Sequence, residues 1–393
     1  MGKNSQDTSR KTKFQNKMRK RRRITFCILG IIICAIIFVS IKVTIKSNNE
    51  QELGSEKEEI ESNKESIEQE KEMKEIVISA VGDCTFGQDD TFSYYGSFNN
   101  QIEKYNKDYS QFLKNVSDIF RSDDYTICNL ETTFTDSKNK REKGDKVQYH
   151  FKASKECANI LTSSSVEGVT VSNNHIYDYG DVGFKDTIET LNNNNIDYCG
   201  EGYKIIKEIK GVKIGFLGYT AWQNTQELKN KIVVDINELR NNGVKIIIPY
   251  FHWGIERQDI PCDVQKSIGR FAIDSGADFV LGSHSHVIQS LENYKGKLIV
   301  YSFGNFCFGG NLNPPDKNTF ILQVKFNFND NNMEDTMYKI IPCSISSKEN
   351  LNDYTPTIIS KDNSQNVINK INEISINFEK ISAEEYFTLK NDE

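Results

Sequence analysis

The chain has 393 residues, of which 26% are charged and 37% hydrophobic. That length and apolar content can bury a sizeable core, and they exclude a wholly disordered or fibrous chain. The net charge of −6 is uneven: residues 1–23 hold ten Lys and Arg against one Asp, which leaves −15 on the remainder. A body that acidic argues against a nucleic-acid partner, because such binding rests on neutralising phosphates.

In chain order, the basic tail at 1–23 ends in the run Arg19-Lys20-Arg21-Arg22-Arg23 and enters Ile24–Ile41, which carries no charge. Extended past Lys42 to Ile45, the stretch would measure about 33 Å as a helix, against roughly 30 Å of bilayer hydrocarbon. It has no polar face at any period, unlike a helix buried in a soluble core. Lys42 and Lys46 can snorkel to the headgroups. No good cleavage site follows, and Cys27 and Cys34 follow Phe26 and Ile33 rather than the small residue of a lipidation site. The expectation is one uncleaved transmembrane helix at 24–45. The basic flank places the N-terminus in the cytoplasm and the main domain, 75–393, outside the cell on its membrane.

Residues 46–74 are expected to form an acidic linker or stalk. From 47 to 74, fourteen of 28 residues are charged and none is aromatic. Leu53, Ile60 and Ile67 recur every seven residues, but one apolar position per heptad is too thin a seam for a coiled coil. Of the nine Cys, seven lie outside the span. The number is odd and no C-x-x-C occurs, so neither a disulfide framework nor a structural zinc knot is indicated, and free thiols in an external domain fit a reducing or anaerobic habitat.

From Ile76 onward, short β-branched runs stop at polar loops. They are Ile76–Val81, Tyr125–Asn129, Gly168–Ser172, Lys213–Tyr219, Val244–Phe251, Asp278–Gly282 and Lys297–Ser302. Between them, Ser110–Phe120, Gly183–Asn192 and Val264–Ser275 have helical apolar spacing. The alternation predicts an α/β domain with largely parallel strands. Beyond Gly310, "FILQVKFNF" and "MYKIIPCSI" predict antiparallel strands, and a final helix is expected near Val367–Glu379.

Ligands of open α/β sheets bind beyond the carboxyl ends of the strands. Those ends carry Asp83, Glu131, Asn174, His175, His252, His284 and His286, which include four of the chain's five His. Carboxylate, amide and imidazole together form the ligand set of divalent Mn, Fe or Zn. His284 and His286 flank one Ser, so both rings can point to one side of an extended loop. Taken singly, Asp83 or Asn174 could equally be a cap or turn residue. The fifth histidine, His150, reads as a structural surface residue. No G-x-S-x-G elbow and no G-x-G-x-x-G after the first strand occurs, which argues against serine-hydrolase and dinucleotide-binding readings.

Seven stretches in order, "AVGDCTFG", "NLETTF", "YHFKAS", "VSNNHIYDYGDVGFKDTIETL", "YFHWGIE", "DSGADFVLGSHSHVIQ" and "VYSFGNFCFGG", resemble the CapA/PgsA capsule-synthesis family, which is related to calcineurin-like metallophosphoesterases. The resemblance covers roughly residues 76–310. It implies a four-layer α/β/β/α sandwich with two mixed sheets, and a role in making, anchoring or exporting poly-γ-glutamate or a capsular polymer. The implied partners are the membrane, the anionic polymer and other membrane subunits of a synthase.

Carried over by motif, Asp83 and His286 would hold one divalent ion, and Asn174, His252 and His284 a second. Glu131 would bridge them. His175 would protonate a leaving oxygen, with Asp178 as its orienter or, equally, a turn cap before Gly180. Ser302 and Asn305 would line the cleft or serve turns. The chain departs from the family pattern at Thr85 and Ser285, where His and Pro are usual, at Glu131, where Asp is usual, and near Gln88, where a basic residue is usual. Three readings stay open: a metal-dependent hydrolase of the phosphoesterase kind, a non-catalytic polymer-binding subunit of a synthase complex, and a general surface metallophosphodiesterase.

Overall fold

Period-two apolar patterning sets the strands and decides which face of each sheet meets which layer. The computed structural model describes residues 17–21, 28–44, 46, 73–144, 147–330 and 332–390. The chain divides into two units, Met1–Glu72 and Met73–Glu393. In the first, residues 17–21 and 28–44 are helical, and apolar side chains such as Ile31, Phe38 and Val43 are exposed. Among the described residues no helix is long and apolar enough to cross a membrane. Residues 24–27 and 45 of the expected span, and 47–72 of the expected stalk, lie outside the described residues. Met73 and Lys74, expected at the end of the stalk, instead open the first strand.

The second unit is built on two mixed sheets. The larger contains β1 (Met73–Thr85), β2 (Tyr125–Leu130), β3 (Gly168–Thr170) and β4 (Asp197–Cys199), all parallel. The smaller contains β5 (Lys204–Ile209), antiparallel to β6 (Val212–Ala221), and then β7 (Ile246–Trp253) and β8 (Leu281–Ser283) in parallel. Back in the larger sheet, β9 (Asn305–Phe308) runs parallel to the end of β1, and β10 (Asn318–Asn329) and β11 (Asn332–Ser344) add antiparallel strands on its other side. The mixed sheets and the antiparallel strands beyond Gly310 agree with expectation, because the C-terminal hairpin joins β1 directly. Lys297–Val300 pairs antiparallel with Leu291–Tyr294 and meets the parallel series through a parallel bridge from Ile299 to Val280.

Three apolar clusters order the layers. Ile78 and Ile127 of the larger sheet meet Phe216 and Ile248 of the smaller one in the central cluster. The other face of the larger sheet, through Val81, Cys128 and Val169, packs on Phe98, Phe120 and Leu191. These three come from α1 (Phe98–Lys104), α2 (Ser117–Ser122) and α3 (Gly180–Asn193). The other face of the smaller sheet, through Ile247, Phe251 and Trp253, packs on α4 (Gln226–Asn241) and α5 (Asp263–Asp274). In β7 the alternation is direct: Ile246, Ile248 and Tyr250 face the other sheet, while Ile247, Phe251 and Trp253 face helices.

The helices diverge from expectation in three places. Ser110–Phe120 is not one helix, because Asp108 takes the Ser110 N–H and hydroxyl and closes a local turn at Tyr109–Gln111. α4 was not expected: Ile232, Ile236 and Leu239 form its buried stripe, but exposed Val233 and Val234 blur the period. The last helix, α6 (Lys361–Ile374), begins and ends earlier than Val367–Glu379.

Two glycines let β1 deliver Asp83. A Cβ on Gly82 would lie 2.0 Å from the Gly304 carbonyl oxygen, and Gly304 itself sits at φ +76. That carbonyl accepts the Asp83 N–H at 3.2 Å. Gly82→Ala should therefore lower stability by about 1–3 kcal/mol through overpacking. Chemical unfolding of the variant beside the parent checks this, and an unchanged midpoint would refute the close approach.

Candidate metal centre

The carboxyl ends of β1, β2, β3, β7 and β8 each bring polar residues to one cluster. β1 brings Asp83, the residue after β2 is Glu131, and the loop after β3 brings Asn173, Asn174 and His175. From the smaller sheet, β7 brings His252 and the loop after β8 brings His284 and His286. Asn305 opens β9, directly across from Asp83. All of these except Asn174 and His286 are buried to less than a tenth of their surface.

The expected residues converge. His252 Nε2 lies 2.7 Å from Asn174 Oδ1, 3.0 Å from His284 Nδ1 and 3.5 Å from Glu131 Oε1. His286 Nδ1 lies 3.5 Å from Asp83 Oδ2 and 2.9 Å from Asn305 Oδ1. One ligand atom each from Glu131, His284 and His286 falls within 4.8 Å of the other two. His175 points Nε2 toward Glu131 Oε1 at 4.0 Å, while its Nδ1 meets Asp178 Oδ2 at 2.7 Å. The Asp178 carboxylate also accepts the Phe151 N–H, a contact to a distant segment rather than a cap on the turn before Gly180.

Residues not foreseen complete the cluster. The Asn129 amide donates to Asp83 Oδ1 at 2.7 Å and reaches His252 Nδ1 at 3.1 Å. Asn173 donates to Asn129 Oδ1 and to the Leu130 carbonyl. The Lys143 ammonium pairs with Asp178 and lies 3.4 Å from His175 Nδ1. Asn129 and Asn173 sit in strand-end segments the sequence already marked, whereas Lys143 lies in an irregular loop with no signal. His150 was expected as a structural surface residue. It is buried rather than on the surface, because its Nε2 meets the Arg141 carbonyl and its N–H donates to Asp89. Asn305 belongs to the cleft, while the Ser302 hydroxyl accepts the Gly304 N–H and serves a turn.

The electrostatics single out Glu131. Both of its carboxylate oxygens are buried without a hydrogen-bond partner. Burial, with Asp83 beside it, holds its pKa well above the usual carboxylate range. An unpaired buried charge costs several kcal/mol. Burial also keeps His252 well below the ordinary imidazole range and His284 down at about 3, each helped by its neighbouring imidazole. Neutral imidazole is the form that ligates a cation. Burial would lower His286 too, but Glu131 and Asp83 lift it to about 9. Orphaned carboxylate oxygens beside the neutral imidazoles of His252 and His284 fit a divalent cation. Thr85 adds no ligand: its hydroxyl donates to the Glu131 carbonyl and ties the ends of β1 and β2 together.

Glu131→Gln should not lower the melting temperature of metal-free protein, since neither carboxyl oxygen has a hydrogen bond to lose. It should abolish the stabilisation that Mn²⁺ gives the parent, about 2.7 kcal/mol at a hundredfold excess over Kd. Thermal unfolding with and without Mn²⁺ decides. A metal-free variant that melts well below the parent would make Glu131 a structural residue.

Comparison with known proteins adds an independent line. The model of the family described as "Bacterial capsule synthesis protein PGA_cap" matches residues 77–310, more than half of the chain. The PGA biosynthesis protein CapA of Bacillus subtilis (strain 168) is 32% identical over 212 residues, covering 49% of this chain and 55% of that protein. The capsule biosynthesis protein CapA of Bacillus anthracis is 28% identical over 230 residues, covering 53% and 55%. The chain thus spans about half the length of these relatives. A hypothetical protein from Thermus thermophilus superposes with a TM-score of 0.42 at 12% identity over 68% of this chain and 99% of its own, too slight a likeness to argue from. The family match spans every residue of the ligand cluster, and the chain belongs to the bacterial capsule synthesis protein family PGA_cap.

Proposed function

We propose that this chain is a membrane-anchored CapA-like protein whose extracellular domain, with a metallophosphoesterase-like four-layer sandwich, uses a divalent metal centre to hydrolyse a phosphoester in the making or export of poly-γ-glutamate or a capsular polymer. The observation that carries the metal centre is the Glu131 carboxylate, buried without partners among three imidazoles. Family membership supports the capsule setting. The anchor rests on the uncharged stretch at 24–41 after a basic flank, and on the exposed apolar side chains of helical residues 28–44. Membrane subunits of a polymer synthase are the proposed partners.

In this reading Asp83 and His286 would hold one ion and Asn174, His252 and His284 a second, with Glu131 supplying a further carboxylate. Mn, Fe or Zn would suit these donors and would supply Lewis acidity toward a phosphoryl oxygen. The chain's own contribution is positional. Asn129 and the His284 N–H fix both Asp83 oxygens, so the carboxylate cannot rotate. The 2.7 Å contact lets the His175 Nδ1–H donate to the Asp178 carboxylate and leaves Nε2 facing the cluster, where it can hold a proton for a leaving oxygen. Phe151, stacked on His175 at 4.1 Å, keeps water off the ring.

One observation favours a second reading. With Thr85 engaged on a backbone carbonyl, the Asp83 side of the centre has one ligand fewer than the family pattern, as a binding-only subunit would tolerate. Full-length protein in detergent, assayed for bound metal and for cleavage of a generic phosphodiester with Mn²⁺, separates the two. Turnover that falls about 10²–10⁴-fold in His175→Ala with metal content retained supports the hydrolase. Bound metal with no turnover in the parent rejects hydrolysis and leaves the binding subunit.

A further inference from the structure

Beside His175 and His286 a cleft of about 370 Å³ opens, a volume suited to a small ligand. Its lining includes Phe92, Tyr149, Phe151 and Phe308. Phe92 meets Tyr149 edge-on at 5.7 Å, Tyr149 and Phe151 lie 17° from parallel at 6.4 Å, and Phe151 meets Phe308 edge-on at 6.3 Å. Phe151 stacks on His175, and Phe308 lies 4.9 Å from His286. The aromatic wall therefore runs unbroken from the ligand cluster to Tyr149, which is 46% exposed.

The charge of the cleft is sparse. Arg257 lines it, held at φ +61 by the donation of its backbone N–H to the Ser285 carbonyl at 2.8 Å. The loop after β7 that carries this guanidinium is thus tied through its backbone to the loop that presents His284 and His286, and among the described residues no carboxylate pairs with Arg257. Glu256 lies next to it, and Asp316 is shared with Lys370 at 3.5 Å. A chain bearing a carboxylate on every residue would find one cation and two acids here. A compact ligand with one anionic head and one ring would use both features.

We propose that this cleft receives a phosphate ester whose organic part is a flat-faced ring, with the ring against Phe92, Tyr149 and Phe151 and the anionic head between Arg257 and the ligand cluster. The proposal rests on the phosphoester reading above and narrows it. The ring is a nucleobase or a pyranose, since both present an apolar face to an aromatic side chain. The γ-glutamyl polymer itself is not the ligand of this cleft.

The test uses full-length protein in detergent with saturating Mn²⁺, and compares phenyl phosphate with methyl phosphate, read as KM where turnover occurs and as Kd where it does not. Phenyl phosphate should bind about 10-fold more tightly. Tyr149→Ala combined with Phe92→Ala should erase that preference and leave methyl phosphate unchanged. Arg257→Ala should weaken both esters alike, by about 10-fold or more. Equal affinities in the parent, or a preference that survives loss of both rings, overturns the proposal while the phosphoester reading stands. Mn²⁺ binding with no affinity for either ester overturns both. A nucleoside monophosphate and a hexose 1-phosphate then identify the ring by which is tighter; neither exceeding methyl phosphate counts against the proposal, as does displacement of phenyl phosphate by a short γ-glutamate oligomer at equal concentration.

Discussion

A carboxylate with no partner sits where the two sheets meet, and the organisation of the site follows from it. Glu131 is fully buried, and both its oxygens lack hydrogen bonds. Such a group raises the energy of the fold unless something positively charged joins it. The nearest nitrogens belong to imidazoles whose burial opposes protonation at His252 and His284. The domain has in effect gathered carboxylates and imidazoles in an arrangement that leaves Glu131 without a hydrogen bond. That pattern is expected of residues arranged for a cation rather than for one another.

Convergence depends on the two sheets sharing one orientation at their carboxyl ends. β1, β2 and β3 run in parallel in one sheet, and β6, β7 and β8 in the other. The central apolar cluster fixes the sheets face to face, so the loops beyond the strand ends meet at one edge. The histidine pair then requires backbone that ordinary residues seldom adopt: His284 at φ +95 and His286 at φ +57. Strain of this kind, on the order of 1–3 kcal/mol per residue, persists only where the surroundings over-determine it. Here the His284 N–H bond to Asp83 and the Ser285 carbonyl bond from Arg257 do so.

Most of the strand positions were legible, because β-branched runs ending in polar loops are a local signal. The helices were less so: α4 hides its stripe behind exposed Val233 and Val234, and the Asp108 turn cuts short the helix expected at Ser110–Phe120. Among site residues, the ligands expected from the strand ends gather as read, but Asn129 and Lys143 were passed over. Asn129 looked like the last residue of a strand. Lys143 is distant from any strand end in sequence and reaches Asp178 only through the path of its loop.

The sequence alone determined which residue types stand at the strand ends, since each is set by local patterning that needs no partner to be seen. It also carried the motifs by which the family is known. Only the tertiary structure decided that Glu131 is left without a hydrogen bond, that Asn129 and the His284 N–H steady Asp83, and that four aromatic rings line the cleft. Those outcomes depend on contacts between segments far apart in the chain, and pairings at that separation leave no period or spacing in the sequence to be read.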